Sequence, residues 1–233
     1  GAAEAISGWD AWNVDIALLT EECTLERVDA GEITPEMFDH HYREIRPVII
    51  VDVVGSGRNA AMAERTVKQR LLEDYGHVTV TLSTANTVSH DKIPAKFADY
   101  LLGLRPHDAS QLGNETLYLF GPNSELGDSL GPLMEHYRPP ALAESDLAFS
   151  FGIGASGSGV PFHVHGQGWS EVIHGRKRWL LYPPHHQPPF DPDKSSASWL
   201  HKVFPNLDKE DRSLLQEWVK NFTLHPFPPP VPS

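Results

Sequence analysis

From Leu147 to Pro184 the chain becomes a series of short runs cut by glycine and proline: LAFSFGIG, a Gly/Ser turn (ASGSG), PFHVH, WSEVIHG and KRWLLYPP. Runs of four to eight residues with β-branched and aromatic content, bounded by turn residues, read as consecutive strands. The half before them reads as helices interleaved with single strands. Helices first and a strand meander last predict a mainly β fold with flanking α, an antiparallel barrel or sandwich behind an N-terminal helical flank.

Thr34 as N-cap, Pro35 in the first turn and Glu36 near the positive end of the dipole predict a helix that carries Met37, Phe38 and Tyr42 and ends near Arg46-Pro47. Val48 to Val54 is almost all β-branched and predicts a buried strand. A helix is expected from Met62 to Tyr75, closed by Gly76, and a half-buried strand over the alternating His77–Ser83. A short helix at Phe97–Leu104 and a strand at Leu117–Phe120, stopped by Gly121-Pro122, follow. Residues 208–220 read as a helix. The five prolines of the last eight residues then make an end, polyproline-like or without order, that no central strand can accept. No fixed-period repeat is present, which sets aside solenoids and propellers.

At 233 residues the chain suits one substantial domain. The net charge of −12 argues against a duplex nucleic-acid partner, and the one dense basic cluster, Arg176-Lys177-Arg178, is too small to hold a polyanion. Nothing approaches the roughly 18 apolar residues of a membrane-crossing helix. The single cysteine, Cys23, excludes an intramolecular disulfide and leans toward a reducing compartment. Two acceptor tripeptides, Asn114-Glu115-Thr116 and Asn221-Phe222-Thr223, lean the other way, and a chain that begins at Gly1 is compatible with a removed leader. On these residues alone the compartment stays open.

The candidate chemistry lies in GVPFHVHGQGWSEVIHGRKRW, residues 159–179. His163 and His165 stand at i and i+2, so on a strand both imidazoles point to one face and form a two-ligand chelate for a divalent first-row metal. An isolated His-x-His is more often two histidines on a polar sheet face. The surrounding text adds weight: this segment resembles the jumonji C (JmjC) family of iron and 2-oxoglutarate dioxygenases. LSTANT (82–87), LGNETLYLFG (112–121), FSFG (149–152), GSGVPFH (157–163) and SEVIHGRKRWLLYPP (170–184) carry the resemblance in order, over roughly residues 20–207.

The resemblance implies a double-stranded β-helix of the cupin type over residues 34–207, after an N-terminal segment 1–33 and before a divergent helix and Pro-rich tail at 208–233. It implies that His163 matches the first metal ligand and that Lys177, two residues after Gly175, contacts the far carboxylate of 2-oxoglutarate. A lone ammonium suits that role, pairing with one carboxylate.

The chain departs from the family pattern in ways that bear on activity. His165 stands where the ligand carboxylate belongs, and Val160 offers no hydroxyl where some relatives bond the co-substrate. In addition, no late segment supplies the strand and distal histidine that complete the family's triad, since His185, His186, His201 and His225 lie among prolines or in a helical stretch. From about Gln216 the chain leaves the family pattern, which is expected to leave the last barrel strands missing, edges unpaired and part of the core uncovered. Cys23 is expected to lose any partner it has in a longer form. Glu171 is the one other candidate ligand, by its near-cupin spacing from His165, although a surface glutamate is the plainer reading.

The expectation is therefore a non-catalytic JmjC-fold protein that regulates through contacts with other proteins and needs no cofactor. The alternative is a protein hydroxylase using Fe(II) and 2-oxoglutarate. Within the family the resemblance is to a branch found in the endoplasmic reticulum lumen, where Asn114 is the better glycan acceptor and Asn221 the weaker.

Overall fold

The structure is a computed structural model that describes residues 8–9, 25–51, 57–86, 91–122, 130–142, 149–164, 168–175 and 177–220. Cys23, His165, Arg176, Asn221 and the proline-rich end lie outside the described residues. In chain order the elements are β1 (Arg27–Asp29), α1 (Pro35–His41), β2 (Ile49–Val51), α2 (Ala60–Arg65), α3 (Lys68–Tyr75), β3 (Thr79–Thr84), β4 (Lys92–Lys96), α4 (Phe97–Gly103), β5 (Leu117–Pro122), β6 (Ser150–Ile153), α5 (Ser196–Ser198) and α6 (Lys209–Lys220).

The chain forms two compact units. The larger is built on Gly57–Arg178 and Pro189–Asn206, and the smaller on the described parts of Glu21–Ser56, Trp179–Pro188 and Leu207–Ser233. In the larger unit an antiparallel sheet runs β4-β3-β5-β6. Leu82 pairs with Leu119, and Leu119 with Ile153, so these three share the face that meets the core. Against that face lie Met62 of α2, Leu71 of α3, Phe97 and Leu101 of α4, and Leu130 and Leu133, all at most 1% exposed. Removing such side chains from water is the main force holding the unit together. Tyr100 of α4 reaches between two strands: its hydroxyl accepts from Leu119 N at 3.1 Å and donates to Ile153 O. Burial pushes that phenol up to about 12.

β4 is an edge strand with Pro94 at its centre and Lys92 and Lys96 at its ends. In the smaller unit β1 pairs in parallel with β2, Arg46 meets Glu26 at 3.1 Å, and the His186 ring bonds Asp211 of α6 at 2.8 Å.

The helix start at Thr34 forms as its residues dictate, with Thr34 Oγ1 accepting from Met37 N at 3.2 Å. That helix ends at His41, earlier than expected, where Glu44 takes a positive φ of 57°. The single helix expected from Met62 to Tyr75 is two. Thr66 Oγ1 donates back to Met62 O at 2.6 Å, and Val67 is extended, so the helix stops and restarts at Lys68. Gly76 closes the second helix as expected, and β5 runs on through Gly121 and Pro122, which pair with Phe151 and Ser150.

The larger difference is over 161–183. None of the described residues there is in a strand, although PFHVH, WSEVIHG and KRWLLYPP all read as strands. β propensity favours an extended backbone, but a strand also needs a ladder partner, and the described residues provide none there. The fold is thus an antiparallel four-stranded sheet with packed helices, and its described residues do not build the second sheet of a jelly roll.

Candidate functional site

Phe162 fixes the start of the histidine segment. Its ring packs edge-on to Trp199 at 5.0 Å and to Phe190 at 5.8 Å, and Trp199 in turn donates its Nε1–H to Pro189 O at 2.8 Å. With Phe162 turned inward, its neighbour His163 faces solvent. The His163 Nδ1 lies 2.9 Å from Pro161 O, a contact that requires Nδ1 to carry the proton and makes Nε2 the nitrogen able to coordinate. Val164 is 85% exposed.

The stretch 168–174 is attached differently. Trp169, Glu171 and Ile173 occupy alternate positions; Trp169 and Ile173 are half-buried, while Glu171 stays exposed, as the plainer surface reading expects, and is nonetheless bound. Trp169 closes an aromatic triangle with Tyr137 and Phe149, with ring centres 5.8–6.1 Å apart. Ile173 packs against the core. Between them the Glu171 carboxylate is held by three donors. Asn59 Nδ2 reaches Oε1 at 2.9 Å, while Arg58 Nη2 at 3.0 Å and the Tyr137 hydroxyl at 2.8 Å reach Oε2. The clasp is itself braced. Asn59 Oδ1 accepts from Arg138 N at 2.7 Å, and Arg138 O accepts from both Asn59 and Arg58. Burial and the adjacent Glu171 carboxylate raise the Tyr137 pKa, which keeps the phenol a donor.

His174 ends the stretch. Its Nε2 lies 3.0 Å from both Ala63 O and Thr66 Oγ1, at the break between α2 and α3. Burial lowers its pKa, which favours the neutral ring with a proton on Nε2. Gly175 follows with φ of +84°, a conformation that suits glycine. Beyond it the Lys177 Nζ donates to Ser170 Oγ at 3.3 Å, and partial desolvation lowers its pKa.

The structure therefore brings Lys177 beside Ser170 and sets His163 on an open surface, while His165 lies outside the described residues. Among the described residues no group of three His, Cys, Asp or Glu side chains is placed to hold a metal ion. Among the described residues His163 offers one imidazole, and the Glu171 carboxylate already has three donors. Arg58, Asn59 and Tyr137 are the functional contacts that local reading missed. They lie 113, 112 and 34 positions from Glu171, and no local pattern marks them.

Asn114 is exposed on a short 3-10 turn, Gly113–Glu115, that leads into β5. No helix among the described residues is long and apolar enough to cross a membrane.

No family model matches the chain. Over 218 residues, 91% of its length, it is 42% identical to the rat (Rattus norvegicus) protein named JmjC domain-containing protein 8, of which it covers 78%. It is equally 42% identical over 215 residues to the human protein of that name, covering 79% of it. At greater distance it is 27% identical over 209 residues to the lysine-specific demethylase JMJ21 of Arabidopsis thaliana, covering 21% of that longer protein.

Proposed function

We propose that this chain, which belongs to the JmjC family alongside JmjC domain-containing protein 8, is a non-catalytic member that works through contacts with other proteins in regulation or signalling. One observation carries the reading. The Glu171 carboxylate, the acid nearest the His163 segment in sequence, is bound by Arg58, Asn59 and Tyr137 and serves as a structural clasp. With His165 standing where the family places its acid, that position supplies no anionic oxygen to offset the charge of a ferrous ion. His163 and His165 are then a vestigial pair.

The finer fold we assign is a cupin-like double-stranded β-helix, with β4-β3-β5-β6 forming one of its sheets. The place we assign is the endoplasmic reticulum lumen. The exposed acceptor Asn114 supports it, and Asn221 is the weaker second acceptor.

A second reading is an Fe(II)- and 2-oxoglutarate-dependent protein hydroxylase. The His163 contact to Pro161 O favours it, because a proton on Nδ1 makes Nε2 the nitrogen able to coordinate, and so does the partly desolvated ammonium of Lys177.

Anaerobic calorimetric titration of Fe(II), then Zn(II), with and without 2-oxoglutarate decides between the two. The expected result is no saturable binding that 2-oxoglutarate strengthens. One tight equivalent, strengthened by 2-oxoglutarate and lost in His163→Ala and Lys177→Ala, would overturn the non-catalytic reading.

A further inference from the structure

We infer that Asn114 receives its glycan only on the nascent chain, because the folded protein withholds the other half of the acceptor tripeptide. The inference rests on the lumenal reading above. An acceptor is defined by its asparagine together with the hydroxyl two residues on, so the transferase must reach both groups. In the fold they are separated: Asn114 is exposed, while Thr116 is 2% exposed and its Oγ1 donates to Gly113 O at 2.9 Å.

Backbone bonds close the turn that hides Thr116. Ala85 N lies 3.0 Å from both Gly113 O and Thr116 O, and Gly113 N donates to Asp193 O at 2.7 Å. Leu112 N is held by Glu115 Oε2 at 3.1 Å, and Leu112 forms a bridge with Lys194. A side chain at 113 would stand 3.2 Å from Ala85 O and from Asn86 Cβ, so the backbones sit as close as glycine permits. Presenting the Thr116 hydroxyl requires this turn to leave both the β3 end and the 193–194 segment.

Chain order sets the interval in which that is possible. Asp193 and Lys194 are made 80 residues after Gly113 and Asn114, so their closing bonds do not exist when the acceptor emerges. At about 5–20 residues per second the interval is roughly 4–16 s. In it the Asn114 Nδ2 bonds to the anomeric carbon of an oligosaccharide carried on a lipid pyrophosphate. The bond from that carbon to the phosphate oxygen breaks, the lipid pyrophosphate leaves, and the amide gives up one proton. Once the turn closes, the exposed corner carries the sugar without displacing the sheet.

The test uses the full chain in an Asn221→Gln background, so that a mobility shift reversed by endoglycosidase reports Asn114 alone. One arm translates it behind a signal peptide with endoplasmic reticulum microsomes. The other gives the purified folded chain, or a linear peptide of residues 110–118, to detergent-extracted microsomal transferase with lipid-linked oligosaccharide. The expected result is modification of the nascent chain and the peptide, with the folded chain at least about tenfold less modified. Gly113→Ala, which crowds the turn without altering the tripeptide, should raise acceptance by the folded chain. A folded chain modified as readily as the peptide would overturn the timing and leave the lumenal reading intact. A nascent chain left bare while a control glycoprotein is modified would overturn both.

Discussion

Two stretches of the candidate site, 161–164 and 168–174, have similar strand-like composition and opposite attachment. The second is fastened at Trp169, Glu171, Ile173 and His174, to partners contributed by α2, the 137–138 segment and the core. The first is anchored by Phe162, with His163 and Val164 turned to solvent. The fastened stretch is thus the one whose acid, Glu171, is already taken up by three donors, and the stretch bearing His163 is the more open. A metal centre needs the reverse, since coordinating side chains are held to geometry by their surroundings.

The largest test of this contrast is Glu171→Ala. It leaves Arg58, Asn59 and Tyr137 without their shared acceptor, and a loss of about 3 kcal/mol, roughly 1 for each lost hydrogen bond, is expected by thermal or urea unfolding. Glu171→Gln should recover part of it, because an amide oxygen still accepts. Phe162→Ala should cost less, about 2 kcal/mol, since the ring is only half-buried and Trp199 keeps its contacts with Phe204 and Pro189. A larger loss from Phe162→Ala than from Glu171→Ala would reverse the contrast.

Acid is the next probe. The fold holds His174 neutral with a lowered pKa, whereas the unfolded chain takes up the proton at the ordinary value near 6.5. The unfolded state therefore gains protons first as pH falls. The contribution of His174 is fully present above that value and declines as pH drops through it toward the lowered folded value. Melting curves between pH 8 and 5, on the order of the imidazole range, should separate wild type from His174→Gln, with the variant less sensitive. His163→Ala should have the smallest effect, within about 0.5 kcal/mol, as befits an exposed side chain.

What the sequence made legible was local. Thr34, the alternation of β3, the apolar run of β5 and the Gly76 stop each act through neighbours a few residues away, and each appears where expected. The shared face of Trp169, Glu171 and Ile173 was legible from spacing. The partners that hold it were not, because Arg58, Asn59 and Tyr137 lie far along the chain. The expected 62–75 helix is split at Thr66, whose hydroxyl bonds Met62 O and also meets His174 from far along the chain. β4 escaped notice because Pro94 argues against a strand, and an edge position is where proline is tolerated. The strands expected over 161–183 failed for the opposite reason: propensity was present and a ladder was not.

That edge strand has a consequence for how copies of this protein meet. An exposed edge offers amide and carbonyl groups to any other extended chain, and a long smooth one templates aggregation. β4 carries Ile93, 41% exposed, which would reward such an encounter. Pro94 removes a donor from the middle of the strand, and Lys92 and Lys96 place charge at both ends, with their ammonium groups tied to Ser83 and to the His77 carbonyl. A visiting strand would find a broken hydrogen-bonding rail between two like charges. The proline that hid the strand from sequence reading is what stops the sheet from growing on that side.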